Sequence, residues 1–229
     1  MREIVLDTET TGFDPLTGDR LVEICCVELV NHVPTGRTYH QYINPERDVP
    51  AEAVAVHGLT TERLASEPVF AAVAGAFLEF IGEDSTLVIH NAEFDIKFLN
   101  AELGRLGFPP IAWSRVTDTL KIARQRFPGA PASLDALCKR FGIDNTGRTL
   151  HGALLDSELL AEVWLELCGG RQPGLVFALD GGRAGPGGLR AAVERPIRPP
   201  RPHAPSPEEL AAHEAFLKQL KNPLWLAEG

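Results

Sequence analysis

The chain has 229 residues, 44% of them hydrophobic, enough for one core of roughly 150 to 180 residues with a remainder outside it. A formal net charge of −9 excludes a broad basic face of the kind that grips duplex nucleic acid by its phosphates. Neither a charged n-region followed by an apolar h-region nor an uninterrupted apolar run of about 18 residues occurs, so the expectation is a cytoplasmic protein with no membrane partner.

The first predicted element is a strand from Arg2 to Thr8, by its alternation, which runs into the acidic island Asp7-Thr8-Glu9-Thr10-Thr11-Gly12. Asp7 and Glu9 are next-but-one neighbours at the end of that strand, so their side chains share a face and can ligate one ion. An exposed acidic strand edge accounts for D-x-E alone equally well. Thr10, Thr11 and Gly12 then turn the chain and offer backbone donors beside the acids. Apolar stretches from Leu21 to Leu29 and Tyr39 to Ile43, punctuated by Gly, Pro and Asn, complete an antiparallel meander. Cys25 and Cys26 adjoin on one of these strands; with Cys138 and Cys168 they form no C-x-x-C pair and no His-rich ligand set, and all are expected to be reduced.

Alanine-rich sequence with helical spacing covers Glu67 to Ile81, and Thr86 to His90 is a short apolar run of the type that makes a buried parallel strand. The second island, His90-Asn91-Ala92-Glu93-Phe94-Asp95, follows directly. Asp95 opens the next helix outside the carboxyl end of a strand, where ligands gather in α/β sheets; the helix macrodipole also favours an acid there. Leu99, Leu103 and Leu106 stripe that helix, closed by Gly107 and Pro109-Pro110. The last long helix runs from Leu154 to Leu167, with Leu155, Leu159, Val163 and Leu167 on one stripe and Gly169-Gly170 at its end. In front of it stands the third island, His151-Gly152-Ala153-Leu154-Leu155-Asp156. The separation of His151 from Asp156 corresponds to about 140° of rotation on an ideal helix, so the pair does not share a helical face. His151 is therefore expected on the entering loop, with Gly152 allowing the bend and the imidazole mobile, and Asp156 in the first turn or so. Exposed, unconnected roles suit the same residues taken singly. Strands first, then alternating helices and strands, predict an α/β fold: a mixed sheet flanked by helices.

Beyond Gly170 the character changes. Asp180 to Pro207 consists largely of Gly, Pro, Ala and Arg and lacks the apolar periodicity that offsets ordering entropy, so it is expected to be a flexible basic linker. Ser206 is placed to cap a helix begun by Pro207, Glu208 and Glu209, and Leu210, Phe216, Leu217, Leu220, Leu224 and Trp225 give the terminal stretch an apolar face. Such a segment cannot bury that face alone and is predicted to dock on another chain. The expected organisation is a catalytic domain over 1–170, a short motif at 171–178, a linker at 179–207 and a docking segment with a short helix at 208–229.

Carboxylates gathered at one place stay ionised only if something strongly positive lies between them, and divalent metal is the obvious candidate. A pair of hard cations on oxygen ligands, with a histidine close enough to take a proton from water, is equipment for in-line attack on a phosphodiester. The islands DTETTG, HNAEFD and HGALLD, in this order, resemble the motifs of the DEDD exonuclease superfamily with a catalytic histidine, and within it the proofreading subunits of bacterial replicative DNA polymerases. The resemblance covers residues 1–170. It implies a ribonuclease H-like fold, release of 5′-mononucleotides from DNA 3′ ends, and a pair of Mg²⁺ or Mn²⁺ ions as cofactors. On this chain it implies that Asp7 bridges both metals, that Glu9 and Asp156 complete the one on the nucleophile side, that Asp95 holds the one on the leaving-group side, and that His151 deprotonates water. It also implies a substrate-contacting segment at Pro50 to Thr60, with Glu52 and His57 joining Glu9, Thr10 and Asp156 around the terminal nucleotide. An exposed Glu and a loop His before Gly58 have equally good structural readings.

Gln172-Pro173-Gly174-Leu175-Val176-Phe177 is similar to a bacterial sliding-clamp-binding motif, in which Leu175 and Phe177 enter an apolar cleft and Gln172 adds polar fixation. Glu208 to Leu226 is similar to the segment by which proofreading subunits attach to the polymerase subunit, with Phe216, Leu220, Leu224 and Trp225 as docking residues. A linker of roughly 28 residues spans about 30 Å if flexible and holds its ends near millimolar effective concentration, which answers the acidic charge: partners, rather than basic residues, keep the chain at the primer end. An RNA-directed relative such as an oligoribonuclease would share the catalytic residues, but has little use for this tail. A clamp–polymerase adaptor without catalysis has no need of the intact acids, and an endonuclease of the same fold would release oligonucleotides.

Overall fold

At the centre lies β1 (Arg2–Thr10), paired antiparallel to β2 (Leu21–Val30) on one side and parallel to β4 (Thr86–Ile89) on the other. An antiparallel β3 (Val33–Tyr42) and a parallel β5 (Val116–Asp118) complete a mixed sheet of order β3-β2-β1-β4-β5. The computed structural model describes residues 1–147, 150–170 and 204–220. The clamp-like residues Gln172, Leu175 and Phe177, the docking residues Leu224 and Trp225, and most of the expected linker lie outside the described residues.

Alternation along β1 sends neighbouring side chains into different cores. Ile4 and Leu6 pack with α3 (Phe70–Ile81) and α4 (Ala92–Arg105), where Phe70, Phe77 and Phe98 are fully buried. Val5 packs on the other face with α6 (Leu134–Phe141) and α7 (Ala153–Leu167). Burial on both faces is why β2 and β4 read as nearly continuous apolar runs. Each fully buried Phe or Leu contributes about 1.5–3 kcal/mol, so this sandwich supplies the rigid frame on which the acids stand.

Several boundaries depart from the sequence expectation. The strand expected at Tyr39–Ile43 begins at Val33, because Val33 and Pro34 pair with Val30 and Leu29 of β2 at the sheet edge although the stretch to Arg37 is exposed and carries no apolar alternation. The helix expected from Glu67 begins at Phe70; Pro68 disfavours helical geometry in the residue before it. Leu106 falls just past α4 and is exposed, and Gly107 takes the left-handed φ of 77° that ends the element. Periodicity does not predict α1 (Ala51–His57), α2 (Thr61–Leu64), α5 (Thr119–Arg126), α6 or β5, all of them short. As expected, the cysteines are free, and Gly169 and Gly170, with φ of 122° and 75°, close α7.

The chain divides into a unit Met1–Phe177 and a unit Ala178–Gly229. In the second, α8 (Pro207–Leu217) starts as the sequence predicts: Ser206 Oγ accepts from the Glu209 N–H at 3.2 Å, and Glu209 Oε2 accepts from the Ser206 N–H at 2.8 Å. Phe216 and Leu220 are exposed. No helix among the described residues is long and apolar enough to cross a membrane.

Candidate active site

The acids collect at the carboxyl ends of β1 and β4. Asp7 and Glu9, both half-buried, project from the α7 face of β1 opposite Cys25 and Glu23 of β2, and the ladder slips between Glu9 and Thr10 as the strand ends. Thr8 faces the other way, and its Oγ1 donates to Asp95 Oδ1 at 2.7 Å. Asp95 is buried in the first turn of α4. That turn is pinned from β5 and α5: the Asn91 N–H donates to Asp118 Oδ1 at 3.3 Å, and His90 Nδ1 meets Thr119 Oγ1 at 2.9 Å. Asn91 holds φ of 65°, the left-handed geometry that swings the chain from β4 into α4.

His151 precedes α7, as the helical rotation argument requires, and folds back so that Nδ1 lies 3.2 Å from Oδ2 of the buried Asp156. The imidazole is exposed yet held by this contact, where a mobile ring was expected. Its backbone N–H donates to Val56 O of α1 at 3.0 Å. Gly152 is not needed for the bend: its φ of −158° is extended backbone open to any residue, and a Cβ there meets nothing within 4 Å. One ligand atom from each of Glu9, His151 and Asp156 falls within 4.8 Å of the others.

The carboxylates of the cluster repel one another. Burial raises the Asp7 carboxyl well above the usual carboxylate range, and the negative charges of Asp95, Glu9, Asp156 and Glu23 raise it further. Burial also pushes Asp95 up to about 7, against the lowering effect of the Thr8 hydrogen bond, with Asp118 adding repulsion. Crowded carboxylates in this state bind protons unless a cation neutralises them, and the donor set of carboxylate oxygens with one imidazole fits a hard divalent ion.

Beside the acids lies a cavity of about 600 Å³, lined by Glu9, Thr10, Phe13, Glu52, His57 and Phe94 among others. Glu52 is exposed on its wall. His57 is not on a loop: it ends α1, is buried, and its Nδ1 accepts from the Leu59 N–H at 3.0 Å. Burial lowers its pKa, partly offset by the Thr10 backbone. Sequence reasoning placed the turn at Thr10 to Gly12 but missed Asp19, the side chain that braces it beside the cavity. A Cβ on Gly12 would lie 2.3 Å from Asp19 Oδ2, and Asp19 accepts from Thr11 Oγ1 at 3.2 Å and from the Asp14 N–H at 3.1 Å. It also missed Thr8 and Glu23.

The exonuclease (RNase_T) family model matches residues 4–164. DNA polymerase III subunit epsilon of Rickettsia prowazekii (strain Madrid E) is 49% identical over 223 residues, 96% of this chain and 97% of the relative. DNA polymerase III subunit epsilon of Escherichia coli (strain K12) is 46% identical over 226 residues, 94% of this chain and 92% of the relative. The chain belongs to the exonuclease family, with the epsilon subunits of DNA polymerase III. Among solved structures, exonuclease X in complex with 5′ overhanging duplex DNA is similar with a TM-score of 0.57 and 26% identity, over 72% of this chain and 89% of that one. The nuclease domain of 3′hExo, a DEDDh family member bound to rAMP, shares the fold with a TM-score of 0.61 at 20% identity, over 73% of this chain and 91% of that one. The expected ribonuclease H-like fold is thus present, and the chain is a 3′–5′ exonuclease.

Proposed function

We propose that this exonuclease removes 5′-mononucleotides from DNA 3′ ends with the help of two divalent ions, Mg²⁺ or Mn²⁺, and serves as the proofreading subunit of a replicative polymerase in the cytoplasm. The observation that carries the reading is the mutual repulsion of Asp7, Glu9, Asp95 and Asp156 at one end of the sheet, with His151 paired to Asp156.

When bound, the ions lower the pKa of the attacking water and stabilise charge on the departing 3′ oxygen. Asp7, whose carboxyl feels the charges of Asp95, Glu9 and Asp156, would be a ligand to both ions. Glu9 and Asp156 lie on the His151 side, while Asp95, steadied by Thr8, serves the leaving-group side. Asp156 orients the imidazole through Nδ1, so Nε2 takes the proton from water. Thr10, Glu52 and His57 line the cavity for the terminal nucleotide.

The names of the relatives, matched over nearly their whole length, support a polymerase partner. Attachment through Phe216, Leu220, Leu224 and Trp225, and clamp contact through Gln172, Leu175 and Phe177, complete the proposal. Exposure of Phe216 and Leu220 on and beside α8 is consistent with such a contact. Incubating 3′-labelled DNA and RNA strands in Mg²⁺ tests the reading. Metal-dependent release of single deoxynucleotides is expected; oligonucleotide products, or faster trimming of RNA, would overturn it.

A further inference from the structure

Glu23 is a buried carboxylate, 3% exposed, in the otherwise apolar opening of β2. Burying such a group is costly unless both oxygens find partners. One does so at His40 of β3, whose Nε2 lies 2.6 Å from Glu23 Oε1. The other, Oε2, accepts from the Ala153 N–H at 3.2 Å. Ala153 is the first residue of α7, and the preceding Gly152 makes no side-chain cap. The first amides of a helix have no intrahelical acceptor, and an N-cap side chain ordinarily supplies one. Here a carboxylate from a neighbouring strand supplies it, at the helix end whose dipole favours negative charge.

We propose that Glu23 is a positioning residue of the exonuclease site: it caps α7 across the fold and thereby sets where His151 and Asp156 stand. Ala153 lies between these two in the chain, so any shift of the helix start reaches both. Ser157 Oγ donates to Cys25 O at 3.4 Å, a second and longer tie between α7 and β2. Glu23 also stands opposite Glu9 in the β1–β2 ladder, so its charge adds to the repulsion among the acids. A carboxylate kept there at that cost has its compensation in the helix cap. The inference rests on the exonuclease reading for its kinetic consequence, but not for its structural one.

The test uses the full chain and compares Glu23→Ala with Glu23→Gln, whose side-chain carbonyl still accepts from Ala153. Glu23→Ala is expected to lower kcat on a labelled single strand about 10- to 100-fold while KM stays within about threefold, since the helix start moves and the nucleotide cavity does not. Its Ala153 amide, followed by NMR in metal-free protein, should exchange at least about tenfold faster than in wild type. Glu23→Gln should stay within about threefold of wild type in kcat and keep the amide protected. If Glu23→Ala does not fold, Glu23→Met, similar in length but without an acceptor, carries the same expectations. Wild-type kcat in the Ala or Met variant, an equal loss in Glu23→Gln, or unchanged exchange at Ala153 overturns the proposal. An inactive wild-type chain would instead sink the exonuclease reading and leave the amide comparison standing.

Discussion

Thr8 Oγ1 donates a 2.7 Å hydrogen bond to Asp95 Oδ1, joining the central strand to the first turn of α4 within the acidic cluster. The bond favours the charged form of Asp95 and partly offsets the burial that leaves its pKa at about 7. Thr8→Val keeps the shape and removes the donor, so the Asp95 pKa should rise further. Protons then compete better with cations, and the acid limb of the pH–rate profile should move to higher pH. Turnover near pH 7 should fall about tenfold or more, from the loss of one hydrogen bond to a charged group. An unshifted acid limb would show that the bond does not tune the acid.

Stability of the metal-free chain should depend on pH in an unusual direction. Asp7 and Asp95 have folded-state pKa values above their ordinary ones, so the folded chain binds their protons more tightly than the unfolded chain does. Their contribution is full below the unfolded pKa of about 3.9 and is lost as pH rises towards 7, a change on the order of a few kcal/mol. Asp95→Asn should therefore exceed wild type in Tm at pH 8 without metal, and Mg²⁺ or Mn²⁺ should raise wild type selectively. Equal Tm values at pH 8, with no response to metal, would contradict this.

Asp7→Ala and Asp156→Ala should each lose more than about 90% of turnover while remaining folded, since metal stabilisation of the transition state is worth several kcal/mol. Circular dichroism checks the fold and nucleotide release checks the rate. A purified variant that retains more than about a tenth of wild-type rate removes that residue from the catalytic set.

Much of this site is legible in the sequence because its acids sit on short local patterns: D-x-E at a strand end, an acid opening a helix, a His–Asp pair too far apart to share a helical face. The Ser206 cap is legible for the same reason. What stays hidden is tertiary. Glu23 looks like any polar residue in a strand until Ala153, 130 positions away, is seen to be its partner. His57 reads as a loop residue because α1 is one short run of alanine and valine entered from Pro50, with no side-chain cap to announce it. β5 has only half-buried residues, and α5 is announced mainly by the Asp118 cap, so neither carries an apolar period.

Gly12→Ala should act on substrate binding. The added methyl collides with the Asp19 carboxylate, so that carboxylate must move and loosen its hold on Thr11 and Asp14 in the turn that carries Phe13 along the cavity. KM for a DNA end should rise about three- to tenfold with a smaller change in kcat, the mark of lost ground-state binding. A kcat loss at constant KM would place the damage in the acid cluster instead.

Deleting residues 180–229 should leave hydrolysis of a short single strand intact and abolish co-elution with a polymerase subunit. Persistent co-elution would put the attachment on the first unit.

The most direct test of a shared cation site is the stoichiometry of Mn²⁺ binding, followed by electron paramagnetic resonance in the presence of a deoxynucleoside monophosphate. Wild type should bind two ions per chain and Asp7→Ala at most one, weakly, because one carboxylate serves both positions. Undiminished binding of both ions by Asp7→Ala would contradict the convergence of these side chains on a cation pair.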